Sequence, residues 1–558
     1  MTYEARGEQE DVIKSTAPVL VVLGGAGTGK TTTAVAAARR HLEDADERLM
    51  LRRRAAHRAG RRTRVPAPER VLFLSFSRTA VAQIIDRSSH VIGPLATRLE
   101  VATFHGFAWR VINSYGPHHG YPQPLAVLSE AQRLVGGAGP GLTYSQLVPA
   151  AMELFSLDKV RNHYDTRYGL VICDEFQDTD DQEWQFLQQI APTARRILLG
   201  DTNQCIYAGF KHINADTRIA TAMQLPGADK IMLSPLSYRD PSGTLPAAAE
   251  AALRRDFTHD ALRTAATAGR ISVTDYADGH GHAEVIDLAR RARKDGSTVS
   301  IFTHTNVATS SLSDALLADG LVHEQVGLTE AHGEALAAQL ALVKYAMGIP
   351  DSEVLRSLAI YVQATERKGN RVVPLAQQML NPATNPPLQN ALERLARDLR
   401  ASIGEGGQPN VARLTEVVTN AYTAVGAGRG QETWMQAARQ TRIALRHADR
   451  GSFDTAVVEQ ELLRVRDEAL VGAGAARRAP IQVMNLHQTK GREADVTTLL
   501  LGENEFHGSE GEPYPTGSKL LYVVMTRARK RAHLVVPNRM HGLWAPLVAA
   551  LRREGGGF

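Results

Sequence analysis

The stretch that decides the fold is PVLVVLGGAGTGKTTTAVAAARR, residues 18–40. Its first six residues are typical of a buried strand, the glycine-rich segment from Gly24 to Thr31 follows at once, and the rest continues as a helix. In that order, backbone N–H groups and the helix N-terminus face one point, where they bind phosphate. We expect Lys30 to reach the β- and γ-phosphate oxygens and the Thr31 hydroxyl to hold Mg²⁺.

Such a loop needs carboxylates on a neighbouring strand, and LVICDEFQD (170–178) supplies them after four apolar residues. We expect Asp174 to hold Mg²⁺ through its water shell, and Glu175 to orient and deprotonate the attacking water. Alone, an acidic pair after an apolar strand is more often a solvated loop, but the phosphate loop reverses that balance. A second strand-like run (195–207) ends near Gln204, a polar group suited to contacting the γ-phosphate.

Length and composition set the frame for these motifs. A chain of 558 residues exceeds what one hydrophobic core supports, so we expect two to four domains. With 43% apolar and 22% charged residues, the protein is expected to be globular, without a membrane span or a signal peptide, and cytoplasmic. The formal charge of +5 permits a polyanionic partner without proving one.

The two cysteines, Cys173 and Cys205, fall in a predicted buried strand and at a predicted strand end. This placement favours packing roles in a reducing compartment over a disulfide, a zinc site or a nucleophile.

Seven further segments accompany the phosphate loop, and together with Gln9 they run from residue 9 to residue 528. They are LSFSRTA (74–80), TFHGF (103–107), DEFQD (174–178), GDTNQCIY (200–207), SYR (237–239), LHQTKGRE (486–493) and LYVVMTRA (521–528). In content and order the eight motifs resemble those of the UvrD/PcrA/Rep-type superfamily 1 DNA helicases.

The resemblance implies an ATP site built from both halves of the chain. Gln9 matches the residue that reads the adenine edge, Tyr238 the aromatic that stacks on the base, and Glu493 the ribose contact. Gln204 resembles the γ-phosphate sensor, and Arg239 and Arg527 resemble two arginines that the second domain presents to that phosphate. The implied catalytic residues are Lys30, Asp174, Glu175, Gln204, Arg239 and Arg527, and Thr31 with Asp174 is the implied metal pair. The implied nucleotide-binding residues are Gln9, Gly24, Gly25, Ala26, Gly27, Thr28, Gly29, Lys30, Thr31, Thr32, Tyr238 and Glu493.

The resemblance also implies contacts with a nucleic acid strand, combining stacking side chains with phosphate anchors. The matching or neighbouring positions are Phe76, Thr103, His105, Phe210, Asn485 and His487. For the two histidines, phosphate hydrogen bonding is favoured over metal binding, because no carboxylate or cysteine lies at ligand spacing.

The chain departs from the family pattern at four positions. Thr32 replaces an arginine that sandwiches the adenine in many members, which implies weaker base discrimination. Phe210 replaces a tryptophan and follows one extra residue, a departure that bears on the stacking role implied for it. Asn485 replaces a threonine and Arg492 a leucine, on the DNA side and the interdomain side respectively.

The implied fold is α/β, with two RecA-like P-loop motor domains containing parallel sheets, each interrupted by a mainly helical insertion. The predicted boundaries are 1–110 and 171–235 for the first domain, 111–170 for a short insertion, 236–350 and 481–558 for the second domain, and 351–480 for a reduced insertion. Because the second insertion is reduced, strand translocation is more secure as a prediction than processive unwinding.

The sequence therefore predicts an ATP-dependent 3′–5′ single-stranded DNA translocase or helicase that couples Mg-ATP hydrolysis to unwinding of single-stranded or forked DNA. Its direction is inherited from the resemblance. One alternative is a DNA-stimulated ATPase subunit that remodels DNA or powers a nuclease partner in repair or phage defence. Another is a nucleotide-gated DNA-binding scaffold. The implied contacts, to backbone and base faces, suit RNA as well as DNA.

One segment lies outside the family pattern, the arginine-rich RLMLRRRAAHRAGRRTRVPAPER at 48–70. It reads as an added basic loop or helix extension. The sequence supports equally a solvated insertion and a contact with nucleic acid backbone or an acidic partner.

Overall fold

The structure, a computed structural model, describes most of the chain. The described residues are 4–58, 67–76, 81, 84–85, 90–123, 125–136, 140–206, 213–325, 330–349, 353–365, 371–404, 406–426, 430–449, 452–471, 479–489, 491–503, 515–540, 542 and 544–552.

The strands are numbered in chain order. They are β1 (Val19–Leu23), β2 (Arg70–Ser75), β3 (Leu99–Thr103), β4 (Ala126–Leu128), β5 (Gly141–Thr143), β6 (Tyr168–Cys173), β7 (Arg195–Gly200), β8 (Ala228–Met232), β9 (Ile271–Tyr276), β10 (Val299–Thr303), β11 (Glu324–Gln325), β12 (Ile481–Asn485), β13 (Ala494–Leu500) and β14 (Ala528–Pro537).

The α-helices are identified by their bounds. They are Glu8–Lys14, Lys30–Arg58, Phe104–Tyr115, Glu130–Val135, Tyr144–Phe155, Asp158–Arg167, Asp181–Gln189, Ala215–Met223, Thr244–Leu253, Asp260–Thr267, His282–Lys294, Asn306–Ala318, Glu330–Ala346, Val354–Thr365, Pro374–Leu380, Pro386–Arg400, Val411–Ala424, Gln431–Ala448, Thr455–Val471, Pro515–Thr526 and Ala545–Arg552.

The chain divides into two compact units. One comprises Met1–His119, Leu147–Val326 and Arg477–Phe558, and we call it the two-sheet unit. The other comprises Gly120–Gln146 and Gly327–Ala476, and we call it the helical unit. The helical unit thus draws on both regions for which the sequence predicts insertions, while the exact domain boundaries stay a prediction.

The first sheet of the two-sheet unit has the strand order β3-β2-β6-β7-β1-β8, and its paired strands are parallel. Leu20, Phe73, Ile172 and Leu199 are fully buried in its core. Because parallel strands end at the same edge, the loops that follow β1, β6 and β7 meet there. This arrangement brings the phosphate loop to the carboxylates, which lie about 150 residues further along the chain.

The second sheet has the order β11-β12-β10-β13-β14-β9, again with parallel pairs. Ile301 and Phe302, consecutive in β10, belong to two different core clusters because successive strand residues face opposite sides. The cluster around Phe302 contains residues of Thr244–Leu253 and Pro515–Thr526, and that around Ile301 contains residues of His282–Lys294. Two parallel sheets packed against helices confirm the predicted α/β class with two RecA-like domains.

The helical unit packs around an aromatic cluster. The rings of Tyr361, Tyr422 and Trp434 have centroids 4.8 to 5.3 Å apart, and all three side chains are buried. The indole Nε1 of Trp434 donates to the carbonyl oxygens of Val418 and Thr419 at 3.0 and 3.1 Å. Because the one polar atom of the indole is satisfied, this large side chain packs without a desolvation cost.

The helical unit buries the imidazole of His332. The side chain is 3% exposed, and within the described residues neither ring nitrogen has a hydrogen-bond partner. Burial lowers the pKa of His332 to about 4. The folded protein therefore keeps this imidazole neutral at pH values where the unfolded chain protonates it.

We predict that acidification from pH 6.5 to pH 4 destabilises the helical unit through His332. In this pH range the unfolded state protonates the imidazole, whereas the lowered pKa keeps it largely neutral in the folded state. The loss for this one group is on the order of 2 to 3 kcal/mol at pH 4. The measurement is the urea midpoint of unfolding at pH 7.5 and at pH 4 for the parent and His332→Leu. The substitution should reduce the difference between the two midpoints, whereas the exposed control His118→Leu should not; an unchanged difference in His332→Leu would contradict the prediction.

Candidate active site

A cavity of about 360 Å³ lies in the two-sheet unit where loops from both sheets meet. It is lined by Ala26, Gly27, Thr28, Gly29, Lys30, Thr31, Thr32, Asp174, Glu175, Gln204, Tyr238, Arg239, Glu493, Arg527 and Arg529. All six predicted catalytic residues are among them. Residues as far apart in sequence as the phosphate loop and Arg527 therefore face the same volume.

The phosphate loop is closely packed and needs its glycines. Gly27 and Gly29 have φ values of 78° and 86°, a left-handed conformation that favours glycine. A Cβ atom on Gly27 would lie 2.4 Å from the Oγ of Ser237. The Nζ of Lys30 donates to the carbonyl oxygens of Gly24 and Gly25 at 2.6 and 2.9 Å. The ammonium group is thus held over the loop, beside the backbone where a phosphate would bind.

The hydroxyl and carboxylate of the predicted metal pair are in direct contact. The Oγ1 of Thr31 donates to the Oδ2 of Asp174 at 3.0 Å. Burial and then the neighbouring charge of Glu175 raise the pKa of Asp174 to about 6, although Lys30 acts in the opposite direction. Two converging oxygen donors in a buried, anionic setting fit Mg²⁺, which prefers hard oxygen ligands and would compensate the buried carboxylate.

Glu175 adopts an uncommon backbone conformation directly after β6. Its φ and ψ are 53° and 40°, in the left-handed region that non-glycine residues rarely adopt. The Nε2 of Gln177 donates to the Oε2 of Glu175 at 2.6 Å. The backbone N–H of Glu175 donates to the Oδ1 of Asp174 at 3.0 Å. The turn holds the Glu175 side chain at the cavity lining.

Arg527 precedes β14 of the second sheet, and its side chain contacts Gln204, which follows β7 of the first sheet. It follows the Pro515–Thr526 helix, is 5% exposed, and donates from Nη2 to the Oε1 of Gln204 at 2.6 Å. The Nε2 of Gln204 in turn donates to the Oδ2 of Asp201 at 2.7 Å. Among the described residues, the buried Nε of Arg527 has no hydrogen-bond partner. A buried guanidinium with a spare donor is suited to binding an anion.

Arg239 is held differently. Its Nε donates to the Oε2 of Glu493 at 2.9 Å, and its Nη1 donates to the carbonyl oxygen of Thr526 at 2.6 Å. Arg529 also contacts Glu493, from Nη2 to Oε1 at 2.5 Å. The Glu493 carboxylate is thus bound by two guanidinium groups at the cavity wall.

Gln9 and Tyr238 lie together beside the phosphate loop. The Nε2 of Gln9 donates to the carbonyl oxygen of Thr28 at 3.1 Å, and the Oη of Tyr238 donates to the Oε1 of Gln9 at 3.2 Å. The backbone N–H of Tyr238 donates to the carbonyl oxygen of Gly27 at 2.8 Å. Because the Tyr238 side chain remains 54% exposed, an aromatic surface is available for stacking next to the loop.

Three residues of this site were not singled out from the sequence: Gln177, Tyr522 and Arg529. The backbone N–H of Ala26 approaches the Oη of Tyr522 at 3.5 Å, and burial raises the pKa of this phenol. Tyr522 and Arg529 lie five residues before and two residues after Arg527, and Gln177 lies within the DEFQD motif. Gln177 and Tyr522 lie within recognised motifs and Arg529 directly follows one, so a signal was available, but their contacts depend on the tertiary structure.

The predicted strand contacts lie at the ends of strands. Phe76 follows β2 and is half-buried, and His105 lies in the first turn after β3. Thr103 accepts from the backbone N–H of Gly106 at 3.0 Å, and Asn485 caps the turn after β12 through Gln488. None of these four residues lines the nucleotide cavity. Phe210 and the side chain of His487 fall outside the described residues.

The cysteines, the apolar character of the helices and the arrangement of possible metal ligands complete the description of the structure. Cys173 and Cys205 are both buried and free. Within the described ranges, no helix combines the length and the apolar character needed to cross a bilayer. The same residues contain no cluster of three or more histidine, cysteine, aspartate or glutamate side chains arranged for a metal ion.

Fold and site together define a P-loop protein with two RecA-like domains and a shared cavity at their sheet edges. A family model described as an AAA domain matches residues 9–210.

The chain is also similar to three bacterial proteins. It is 24% identical to DNA helicase II of Escherichia coli over 305 residues, covering 43% of this chain and 39% of that protein. It is 19% identical to the ATP-dependent DNA helicase PcrA of Bacillus subtilis over 391 residues, 58% of this chain and 50% of that protein. It is 24% identical to the ATP-dependent DNA helicase UvrD1 of Mycobacterium tuberculosis over 482 residues, 73% and 60%. The chain thus spans about two fifths to three fifths of these relatives, and the resemblance to UvrD/PcrA-type superfamily 1 proteins is confirmed.

We predict that Gly27→Ala weakens ATP binding by at least about tenfold, because the new Cβ would displace Ser237 and the loop. Gly243→Ala is the matched control, since Gly243 has a similar φ of 70° but no atom within 4 Å of the added Cβ. Titration with a fluorescent ATP analogue measures both variants. Equal affinities in the two variants would contradict the assigned role of loop packing.

Proposed function

We propose that the protein is a cytoplasmic, ATP-dependent 3′–5′ single-stranded DNA translocase or helicase that couples Mg-ATP hydrolysis to DNA unwinding. The observation that carries this proposal is the hydrogen bond from Arg527 to Gln204, beside the cavity that Lys30 and Asp174 also line. Because the arginine and the phosphate loop come from different sheets, a triphosphate bound there would link the positions of the two domains.

In this proposal the first domain binds and orients the nucleotide. The backbone of the loop and Lys30 bind the phosphates, while Thr31 and Asp174 hold Mg²⁺. Bound Mg²⁺ would supply positive charge to the phosphate oxygens. Glu175 orients the attacking water and accepts its proton, and Gln204 senses the γ-phosphate.

The second domain supplies positive charge from the opposite wall. Arg527 has a buried spare donor, and Arg239 lies at the same cavity, so both guanidinium groups can stabilise charge on the γ-phosphate oxygens. Tyr238 and Gln9 are proposed to bind the adenine, and Glu493 the ribose. Since Arg239 and Arg529 already contact Glu493, ribose binding would exchange these contacts.

Single-stranded DNA is the proposed track. Thr103 at the end of β3 and Asn485 at the end of β12 each cap the turn that follows their strand, and a histidine follows each of them two residues later. With Phe76 and Phe210, these side chains provide phosphate anchors and stacking surfaces. The DNA substrate and the direction are transferred from the named relatives and the motif resemblance. RNA strands are to be tested beside DNA strands in the hydrolysis assay described below.

The helical unit favours a second candidate, a DNA-stimulated ATPase that powers a nuclease or repair partner without unwinding alone. This unit comprises only Gly120–Gln146 and Gly327–Ala476, consistent with the reduced insertion predicted from the sequence. A forked-duplex unwinding assay with and without candidate partners separates the two functions.

We predict that Glu175→Gln lowers the steady-state rate of ATP hydrolysis by roughly a thousandfold while ATP binding is retained, because the amide cannot accept the proton from water. The test is hydrolysis titrated with DNA and RNA strands of several lengths. Glu47→Gln, an exposed carboxylate on the Lys30–Arg58 helix, serves as the control. A parent protein whose hydrolysis does not respond to any strand would favour the nucleotide-gated scaffold instead.

The arginine-rich segment supplies a second proposed DNA contact. Up to Arg58 it continues the 29-residue helix that starts at the phosphate loop, and the residues from 59 to 66 lie outside the described part. Earlier acidic residues of this helix are paired, as in Arg39–Glu43 and Arg98–Asp46. No carboxylate lies between residues 50 and 58, where the exposed Arg52, Arg53, Arg54 and Arg58 form a basic helix end.

We predict that replacing Arg52, Arg53 and Arg54 by glutamine weakens DNA binding and reduces its salt dependence, by about one unit of log–log slope per lost phosphate contact. Arg61 and Arg62 extend the set in a second variant. The control replaces Arg254, Arg263 and Arg291, which are exposed but each paired with a carboxylate three or four residues earlier in the sequence. Binding that is unchanged at every salt concentration would leave the segment as a solvated helix end.

A further inference from the structure

A chain of hydrogen bonds connects Glu175 to the second domain, and Gln177 is its first link. Gln177 lies fully buried in the turn after β6. Its Nε2 donates to Glu175 Oε2 at 2.6 Å and to Asp178 Oδ2 at 3.2 Å. Its Oε1 accepts from the backbone N–H of Asp201 at 3.1 Å. The reverse orientation of the Gln177 amide would place its Oε1 against the carboxylates of Glu175 and Asp178. The network therefore allows only one orientation of this amide.

The chain then continues to the opposite sheet. Asp201 accepts from the Nε2 of Gln204 at 2.7 Å, and Gln204 accepts from the Nη2 of Arg527 at 2.6 Å. Asp201, Gln204 and Arg527 are all buried. Displacement of Arg527 therefore breaks a contact that water does not readily replace, and the linked groups must adjust.

The backbone conformation of Glu175 depends on contacts such as those in this chain of hydrogen bonds. A non-glycine residue at φ 53° is strained by about 1 kcal/mol or more and keeps that conformation only when its surroundings hold it. The Gln177 amide holds the side chain of that residue at the cavity. Loss of the amide would remove this hydrogen bond from the Glu175 carboxylate while the phosphate loop stays in place.

We propose that Gln177 is a positioning residue: it orients the Glu175 carboxylate and couples that orientation, through the hydrogen-bonded chain, to Arg527 of the second domain. The inference rests on the proposed function, since it gives Glu175 the role of general base. It adds a specific path by which movement of the second domain would change hydrolysis in the first.

Two substitutions test the donor and the link. Gln177→Glu keeps the shape and an acceptor but removes the N–H donor and sets a carboxylate beside Glu175 and Asp178. Gln177→Met keeps approximate shape and removes both polar ends. We expect kcat for ATP hydrolysis with saturating single-stranded DNA to fall roughly 10- to 100-fold in both, because a small misplacement of a catalytic group has that effect. KM and ATP affinity should change by less than about threefold.

A double-mutant cycle separates coupling from local damage. If Gln177 acts through the chain, Gln177→Met combined with Gln204→Met should lose about as much kcat as the more damaging single variant. Gln189→Glu, on an exposed position of the neighbouring Asp181–Gln189 helix, is the matched control and should keep kcat within about twofold. Thermal unfolding and ATP titration show that each variant is folded, and Gln177→Met carries the test if Gln177→Glu does not fold.

Two results would overturn the inference: parent-like kcat in both Gln177 variants, or losses that multiply in the double variant. Either result leaves the proposed function standing if the parent shows DNA-stimulated hydrolysis. A parent without such stimulation would instead contradict the proposed function, and its basal hydrolysis would still report the effect of Gln177.

Discussion

The buried guanidinium of Arg527 is the interaction on which the site depends. Burying a full charge is unfavourable unless polar partners surround it, and here Gln204 of the first domain supplies one. The spare Nε donor leaves this compensation incomplete within the described residues. A polyanion in the cavity would complete the compensation of the Arg527 charge. The electrostatics of the cavity and the contact between the two sheets therefore both support a bound triphosphate.

The same cavity contains a cationic and an anionic side chain whose charges a nucleotide with Mg²⁺ would compensate. Lys30 is held by loop carbonyl oxygens, while burial raises the pKa of Asp174 to about 6. Phosphate would draw the ammonium group from the loop, and a divalent cation would favour the ionised carboxylate. Each group is therefore stable in its present contacts and better compensated with a ligand.

Local sequence patterns located the first domain's candidate residues at one edge of its sheet, where the structure brings them to one cavity. A strand, a glycine turn and a helix follow directly in 18–40, so the phosphate loop is a local structure that a sequence pattern can identify. Asp174 and Glu175 could be assigned because a parallel sheet brings strand ends to one edge. Arg239 and Arg527 could be located only through resemblance, since no local pattern distinguishes them from the many surface arginines.

By itself, the sequence determined the class of fold, the phosphate loop and the acidic strand end, because these depend on hydrophobic periodicity and glycine conformations that neighbouring residues establish. Tertiary structure alone decided the left-handed turn at Glu175, the placement of Gln177, and the contacts of Tyr522 and Arg529. It also decided that segments on both sides of the first domain's β6 join one helical unit. These features depend on distances between residues far apart in the chain, which arise only when the sheets pack and bury their polar groups together.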